Sequence, residues 1–416
     1  MKILVIGSGG REHCICWKLN ENPKIEKIYC APGNGGTSFL SKGENVNLTG
    51  IDELLNFAKS EKIDLTIVGG EELLVAGIVD EFQKNNLKIF GANKKSALLE
   101  GSKVYAKNFM KKYGVKTAAY EVFTEASDAK EYIKSCSYPV VIKASGLAAG
   151  KGVLICETLE SALEAIDEIM IEKVFDDAGE EIVIEEFLVG IEASILSFTD
   201  SNVILPFISS KDHKKIGDNE TGLNTGGMGT IAPNPYVTPE VHYEFIKDIM
   251  TPTLEGMKNE NMNFAGIIFF GLMITQKGVY LLEYNMRLGD PETQVVLPLL
   301  QSDFLQLIED AMNKNLSQSN IKWSNDSACC VVLASGGYPE NYEKGYQISG
   351  LENIENSFFV GGAQMKDNTL VTSGGRVLNI VALGENLEIA HKKVYEDVAK
   401  VSFTGVYHRK DIGKIK

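Results

Sequence analysis

A multidomain fold that joins α/β and α+β parts is predicted for this chain of 416 residues: an N-terminal doubly wound parallel-sheet domain over residues 1–100, a central body over 101–323 with a small α+β lid at about 118–187, and a mixed α/β domain over 324–416. Three observations predict it. Short apolar runs alternate with helical patterns through residues 1–100, glycine-rich loops follow strand patterns in mid-chain, and short strands separated by glycine turns fill the last section. With 44% hydrophobic residues the chain can bury a sizeable core, and its length accommodates two to four domains.

The first element is the buried-strand run at residues 2–7, which ends in glycines and leads into a helical pattern at 11–19. Strand runs at 63–68 and 87–91 alternate with helical segments at 52–59 and 75–83, which implies a parallel sheet. From Gly101 onward a helix is expected at 103–112, a strand at 138–144 that enters a glycine-rich loop, an amphipathic helix at 159–170 and a strand at 181–188. The tract 209–234 is polar and glycine-rich with little regular pattern, which reads as a long loop, functional or disordered. Residues 266–274 and 279–284 form a hairpin around Gln276, Lys277 and Gly278. From about Asp326, runs such as 328–334 and 376–383 supply the strands of the last domain.

Charge and cysteine usage narrow the class. A formal charge of -15 argues against nucleic-acid binding, which needs excess Lys and Arg, but leaves room for a local basic pocket and a small phosphorylated ligand. No stretch approaches the roughly 18 apolar residues of a membrane span, and the opening apolar run is too short for a signal peptide. Seven cysteines without Cys-x-x-Cys spacing read as reduced structural thiols of a cytoplasmic protein. His13, His242, His391 and His408 lack metal-ligand spacing.

Four segments carry chemistry. In Gly7-Ser8-Gly9-Gly10-Arg11-Glu12 the acid stands where a dinucleotide fingerprint has its third glycine, so the turn suits a phosphorylated metabolite better than NAD, or is simply a tight turn. The loop Lys143-Ala144-Ser145-Gly146-Leu147-Ala148-Ala149-Gly150-Lys151-Gly152 follows a strand and suits nucleotide phosphates without being a Walker A loop, because Gly152 replaces the magnesium-binding hydroxyl. Glu283 and Asn285 stand one residue apart on a strand, hence on one face, where a carboxylate and an amide oxygen suit Mg²⁺; the alternative is an ordinary surface strand, made less attractive by Arg287, Asp290 and Glu292 close by. The charged run Lys211-Asp212-His213-Lys214-Lys215, followed by Asn224-Thr225-Gly226-Gly227-Met228-Gly229, offers His213 as a general base, recognition of an amino acid by its neighbours, or a solvated loop.

Together these motifs resemble the ATP-grasp superfamily and, within it, the glycinamide ribonucleotide synthetase family of de novo purine biosynthesis. The resemblance runs the length of the chain. It also rests on Ala31-Pro32-Gly33-Asn34, Gly101-Ser102-Lys103, Arg287-Leu288-Gly289-Asp290-Pro291-Glu292-Thr293-Gln294, Ser373-Gly374-Gly375-Arg376-Val377 and Arg409-Lys410-Asp411-Ile412-Gly413. It implies an ATP-grasp core with ATP and Mg²⁺, or Mn²⁺ in its place. Lys103 and Lys143 look like the phosphate lysines, under a lid loop containing Gly146, Gly150, Lys151 and Gly152. Glu185, Glu186, Phe187 and Leu188 look like the adenine-binding segment, and Glu192 a ribose ligand. Glu283 and Asn285 look like the metal ligands. Gly9, Gly10, Arg11 and Asn34 would serve 5-phosphoribosylamine, while Asp212, Lys214, Gly226, Gly227, Arg287 and Asp290 would surround glycine and the reacting phosphate. Arg287, Lys143 and Asp212 would be the catalytic set.

The implied reaction is ligation of glycine to phosphoribosylamine through glycyl phosphate, with ADP and phosphate released. The expected partners are these small molecules alone, with no nucleic acid and no membrane, for a monomer or weak homo-oligomer. Another ATP-grasp ligase and a non-catalytic nucleotide-binding module are the competing readings; Asn224–Gly229 and Arg409–Gly413 speak against the first, and the joint presence of Glu283, Asn285 and Arg287 against the second. The sequence departs from the family at Ser145, where an aspartate is usual, at Gly70 and Leu73, where prolines are usual around Glu71, and at Lys215, where an arginine is usual.

Overall fold

The run Lys2–Gly7 offers apolar side chains on both faces, and in the computed structural model, which describes residues 1–148 and 152–414, it becomes the central strand of a five-stranded parallel sheet. The order across the sheet is Gly43–Asn45, Lys27–Pro32, Lys2–Gly7, Leu65–Val68 and Ile89–Phe90, a doubly wound arrangement in which the chain builds outward from its first strand in both directions. Successive side chains of a strand point to opposite faces. Accordingly Ile3 and Val5 belong to one hydrophobic core, and Leu4 and Ile6 to another. Both cores reach far along the chain: Val295, Phe359 and Val381 join the first, and Phe270 and Tyr284 the second.

Two expected elements differ in this domain. The helix expected at 75–83 is a pair, Glu71–Ala76 and Ile78–Lys84, divided at Gly77, whose φ of +96° no helix continues. The strand expected at 87–91 keeps only Ile89–Phe90 in the ladder.

The lid is a four-stranded antiparallel sheet in the order Tyr120–Phe123, Ile182–Glu186, Val140–Ala144, Val153–Cys156, with its own core around Ile142, Ile166 and Ile184. Its helix Leu159–Ile166 is capped by the Thr158 hydroxyl, which accepts from Ser161 N at 3.2 Å, and continues as a wider π turn to Ile171. The body is another four-stranded antiparallel sheet, in the order Ile204–Pro206, Ile191–Thr199, Gly266–Thr275, Gly278–Asn285, the last two forming the expected hairpin.

The tract 209–234 is a correction. It holds the short strands Lys211–Asp212, Lys215–Gly217, Thr221–Asn224 and Gly229–Ala232, and the first and last of these enter the C-terminal five-stranded sheet, beside Ser327–Ala334, Arg376–Gly384 and Ser357–Val360. Strands of two to four residues carry no readable periodicity, and Gly229–Ala232 is fixed by pairing with Ala328–Val331, about a hundred residues away. The helix Leu387–Val398 packs on this sheet.

All seven cysteines are free thiols, and all but Cys136 are buried. No described helix is long and apolar enough to cross a membrane.

Candidate active site

The hairpin strand Gly278–Asn285 sets one wall of the site. Val279 and Leu281 are buried in the core, and strict alternation would send Glu283 after them. A bulge prevents this: Gly271 pairs with Glu283 but Leu272 with Leu281, so Leu282 is the extra residue and the phase flips. Tyr284 and Met286 then fill the core while Glu283 and Asn285 face outward together. Among the described residues the Glu283 carboxylate has no hydrogen bond or ion pair. Burial alone would raise its pKa, but the charges of Lys214, Lys143, Lys103 and Arg287 hold it below the usual range. No described cluster of three or more His, Cys, Asp or Glu residues could hold a metal. A cation here would rest on one carboxylate and one amide oxygen and take its other ligands from water and a polyanion, as hard Mg²⁺ does.

Opposite stands a buried trio. Lys143, on the lid strand Val140–Ala144, lies 3.0 Å from Glu185 Oε1, and Lys107, on the helix Lys103–Tyr113, lies 3.1 Å from the same oxygen. Glu185 is therefore a counter-ion of both lysines through its side chain. The Glu186 carboxylate turns away to accept from Ala119 N at 2.9 Å. Lys103 opens its helix and donates to Gly146 O at 3.4 Å; burial lowers its pKa. Ser145, at the family's acidic position, accepts from Val104 N at 3.3 Å, so a neutral hydroxyl helps cap that helix and leaves its positive end uncompensated. Phe187 and Leu188 follow the strand as half-buried residues. Gly150 and Lys151 lie outside the described residues; Gly152 immediately precedes the lid strand Val153–Cys156.

Arg287 is held more firmly than its sequence context indicated. Its Nε lies 3.1 Å from Glu71 Oε2, its Nη2 3.0 Å from Glu100 Oε1, and Nη2 donates to Asn285 Oδ1 at 3.2 Å. Burial opposes its charge, but Glu100 and Glu71 more than compensate, so it is protonated throughout. Glu71 caps no helix and simply projects from the helix behind Gly70, so the absent prolines at 70 and 73 leave this clamp in place. Arg11 reaches the same point, donating from Nη1 to Leu288 O at 2.9 Å and from Nε to Glu12 at 2.6 Å.

The tract 211–229 forms the third side. Lys214 pairs with Glu192 at 2.9 Å, which takes up the carboxylate expected to meet a ribose. Asp212 is buried, and burial and Glu292 push its pKa well up. Gly227 has φ +113°, and a Cβ there would stand 2.6 Å from Pro291 Cδ and 2.7 Å from Asp212 Oδ1, so only glycine lets these segments meet. Arg376, from the C-terminal sheet, ties them: its Nη1 donates to Gly226 O at 2.5 Å and to Asp290 O at 2.7 Å, while Tyr338 Oη accepts from Gly226 N at 3.0 Å. Burial would raise the Asp290 pKa, but Arg376 and Arg11 hold it low.

Three expectations are corrected here. His213 is not a general base: it is buried, burial pushes its pKa down to about 3, and its Nδ1 faces Gly229 O at 3.2 Å. The N-terminal turn is not an open anion cradle, because Gly9 N donates to Glu12 Oε2 at 2.6 Å and Arg11 N to Asp290 Oδ2 at 3.3 Å; Gly10 lies buried behind them. Arg11 Nη2 is what remains to face an anion. Asn34 is consumed internally, its amide donating to Val360 O at 2.7 Å and Ser8 O at 2.9 Å while its oxygen accepts from Gly36 N at 2.8 Å. We expect Asn34→Ala to lower stability by about 1–3 kcal/mol in urea unfolding, the cost of unpaired buried groups, with substrate KM values unchanged. A selective rise in one KM would return Asn34 to the binding site.

Lys107, Glu71, Glu100, Arg376 and Tyr338 were not singled out in the sequence. Only Glu71 and Arg376 lie in recognisable motifs; Lys107 and Glu100 look like ordinary helix-surface charges.

Residues 1–100 match the model of the phosphoribosylglycinamide synthetase N domain, 101–293 its ATP-grasp (A) domain and 328–415 its C domain. The phosphoribosylamine–glycine ligase of Clostridium acetobutylicum is 58% identical over 416 residues, covering 100% of both chains, and that of Fusobacterium nucleatum 57% identical over 420, covering 100% of this chain and 99% of its own. The crystal structure of the Thermotoga maritima phosphoribosylamine–glycine ligase superposes with a TM-score of 0.88 at 36% identity, covering 99% of this chain and 100% of that one. A Campylobacter jejuni biotin carboxylase shares the fold alone, with a TM-score of 0.74 at 15% identity over 99% of this chain and 94% of its own.

Proposed function

This chain belongs to the phosphoribosylglycinamide synthetase family, and from that premise we propose that it ligates glycine to 5-phosphoribosylamine in de novo purine biosynthesis, through glycyl phosphate. It is an ATP-using carbon–nitrogen ligase. A carboxylate is a poor acyl donor, so the γ-phosphoryl group of ATP first moves to a glycine carboxylate oxygen as its bond to the bridging oxygen of ADP breaks. The amine of phosphoribosylamine then attacks the carbonyl carbon, phosphate departs, one proton is lost and the amide remains.

The observation that carries this reading is the convergence of Lys103, Lys143, Lys214 and Arg287 on the Glu283 face, four cations around one carboxylate. Such a face neutralises a triphosphate and the charge that develops as its terminal group moves, so catalysis is positioning and electrostatics. In this reading Lys103 and Lys143 hold the nucleotide phosphates, and Arg287, fixed by Glu71 and Glu100, faces the moving phosphoryl group. Asp212, Gly226, Gly227 and Asp290 enclose glycine, and Arg11 meets the phosphorylated amine. The Glu283 carboxylate, unpartnered among the described residues, and the Asn285 oxygen fit Mg²⁺ or Mn²⁺, which when bound would neutralise phosphate charge and polarise the γ-phosphoryl group. Glu283→Gln should raise the Mg²⁺ concentration for half-maximal rate by roughly 10–100-fold, read from magnesium titrations at saturating ATP; an unchanged requirement would remove Glu283 from the metal.

The free thiols suit a reducing cytoplasm, and the acidic surface suits small-molecule partners and a monomer or weak homo-oligomer. The decisive assay supplies ATP, Mg²⁺, glycine and freshly generated phosphoribosylamine and omits each in turn. ADP and glycinamide ribonucleotide should form only from the complete mixture. ADP released without glycine, or no ribonucleotide product, would overturn the assignment.

A further inference from the structure

Lys107 is the cation that the reaction leaves without a task. It lies one helical turn beyond Lys103, so both project from one face of the helix Lys103–Tyr113. Its side chain is 3% exposed, its Nζ donates to Thr117 Oγ1 at 2.7 Å and stands 3.1 Å from Glu185 Oε1, and the Tyr120 ring lies 5.5 Å from it. Thr117 is anchored in turn, donating to Leu281 O at 2.6 Å. Lys143 meets the same carboxylate from the neighbouring strand, donating to Glu185 Oε2 at 3.0 Å. Two ammoniums therefore share one carboxylate that is 2% exposed.

We propose that Lys107 is a nucleotide-positioning residue: by neutralising Glu185 from the side of Thr117 and Tyr120, it leaves the charge of Lys143 available to a nucleotide phosphate. This rests on the reading that ATP lies against Lys143. The charge balance carries it. Lys107, Lys143 and Glu185 sum to one net positive charge in a water-excluded place, and without Lys107 they sum to none. Glu185 would then hold Lys143 as a neutral ion pair, and the incoming phosphate would meet a lysine already satisfied. Among the described residues the polar and ring partners of the Lys107 ammonium are Glu185, Thr117 and Tyr120, so its effect on the nucleotide passes through Glu185. Burial, against the pull of Glu185, lowers the Lys107 pKa to about 8, so Lys107 keeps its charge at neutral pH.

Lys107→Gln removes the charge and keeps a donor for Thr117, and Lys107→Met removes both. The expected result for each is a KM for ATP raised about tenfold, the size of one partly screened charge, with KM for glycine and for phosphoribosylamine unchanged and kcat lowered less than threefold. Lys107→Arg, which keeps the charge, should restore most of the ATP affinity. A second measurement separates this role from lid anchoring. In the Lys107→Met/Glu185→Gln double variant the competing carboxylate is gone, so ATP should bind more tightly than to Lys107→Met alone. The proposal is overturned if both neutral single variants keep the unaltered KM for ATP, if all three KM values rise together, or if the double variant binds ATP no better than Lys107→Met. Ligase activity in the unaltered chain is measured alongside, so a failure here leaves the assignment of the reaction standing.

Discussion

Arg287→Ala should turn over about 10²–10³-fold more slowly at saturating substrates, the range for loss of one preorganised charged donor. The structure adds a second effect, because the guanidinium is the shared partner of Glu71 at 3.1 Å and Glu100 at 3.0 Å. Breaking a buried pair typically costs about 3–5 kcal/mol when the remaining charge must stay ionised. Glu100 has an escape. Burial already raises its pKa, and without Arg287 it rises further, so the carboxyl can take up a proton. The sign follows from linkage. A folded-state pKa above the unfolded value of about 4.3 stabilises fully below that value, and the stabilisation is lost as pH rises through the folded pKa. The melting-temperature gap between Arg287→Ala and the unaltered chain should therefore be small near pH 5 and widen toward pH 8. Near-normal turnover, or a gap independent of pH, would show that the clamp is not built around this guanidinium. Arg287→Lys should recover little, since a point charge cannot reach Glu71, Glu100 and Asn285 as a planar fork does.

A large effect on stability alone should come from Arg409→Met, far from the reacting atoms. Arg409 is fully buried: its Nε donates to Asp411 Oδ1 at 2.8 Å, its Nη2 to Glu220 Oε1 at 2.7 Å and to Asp411 Oδ2 at 2.8 Å, and its Nη1 to Lys215 O at 3.0 Å. One side chain thus fastens the C-terminal segment to the hairpin of Lys215–Gly217 and Thr221–Asn224. We expect a loss of about 3 kcal/mol in urea unfolding, the low end for a broken buried pair because Glu220 and Asp411 can be rehydrated. Limited proteolysis should open the chain first within 215–224. Burial would raise the Asp411 pKa, but Arg409 holds it well below the usual range. Its contribution is therefore complete above pH about 4 and lost as pH falls below that, so acid should narrow the difference between variant and unaltered chain. Equal urea midpoints would mean that the hairpin is held by other contacts.

How much of this could be read beforehand differs from element to element. The strands Lys2–Gly7 and Leu65–Val68 announce themselves because both their faces are buried, leaving continuous apolar runs. The shared face of Glu283 and Asn285 follows from local parity alone. Which side of the sheet that face lies on does not, because it depends on the bulge at Leu282, a consequence of pairing with Gly271 and Leu272. Within 209–234 the strand Gly229–Ala232 was invisible for the same reason, its partner lying at 328–331, and the other three are too short to show a period. Among site residues, motif positions such as Lys103 and Lys143 stood out, whereas Lys107 looks like any helix lysine until the lid folds over it. Asn34 misled in the opposite sense: a polar residue in a glycine-rich turn is as well suited to tying backbone together as to binding a ligand, and only the position of Val360 decides between them.

The two-sided burial of the first strand also bears on the order in which the chain is made. Ile3 and Val5 leave the ribosome hundreds of residues before Val295, Phe359 and Val381, which complete their core. At roughly 5–20 residues per second, the interval from Val5 to Val295 is about 15–60 s, during which that face of the nascent sheet lacks the later half of its core and relies on Cys14, Ile15 and Leu19 of the first helix for cover. A strand made early is thus finished late, and its core closes only when the C-terminal sheet has been synthesised.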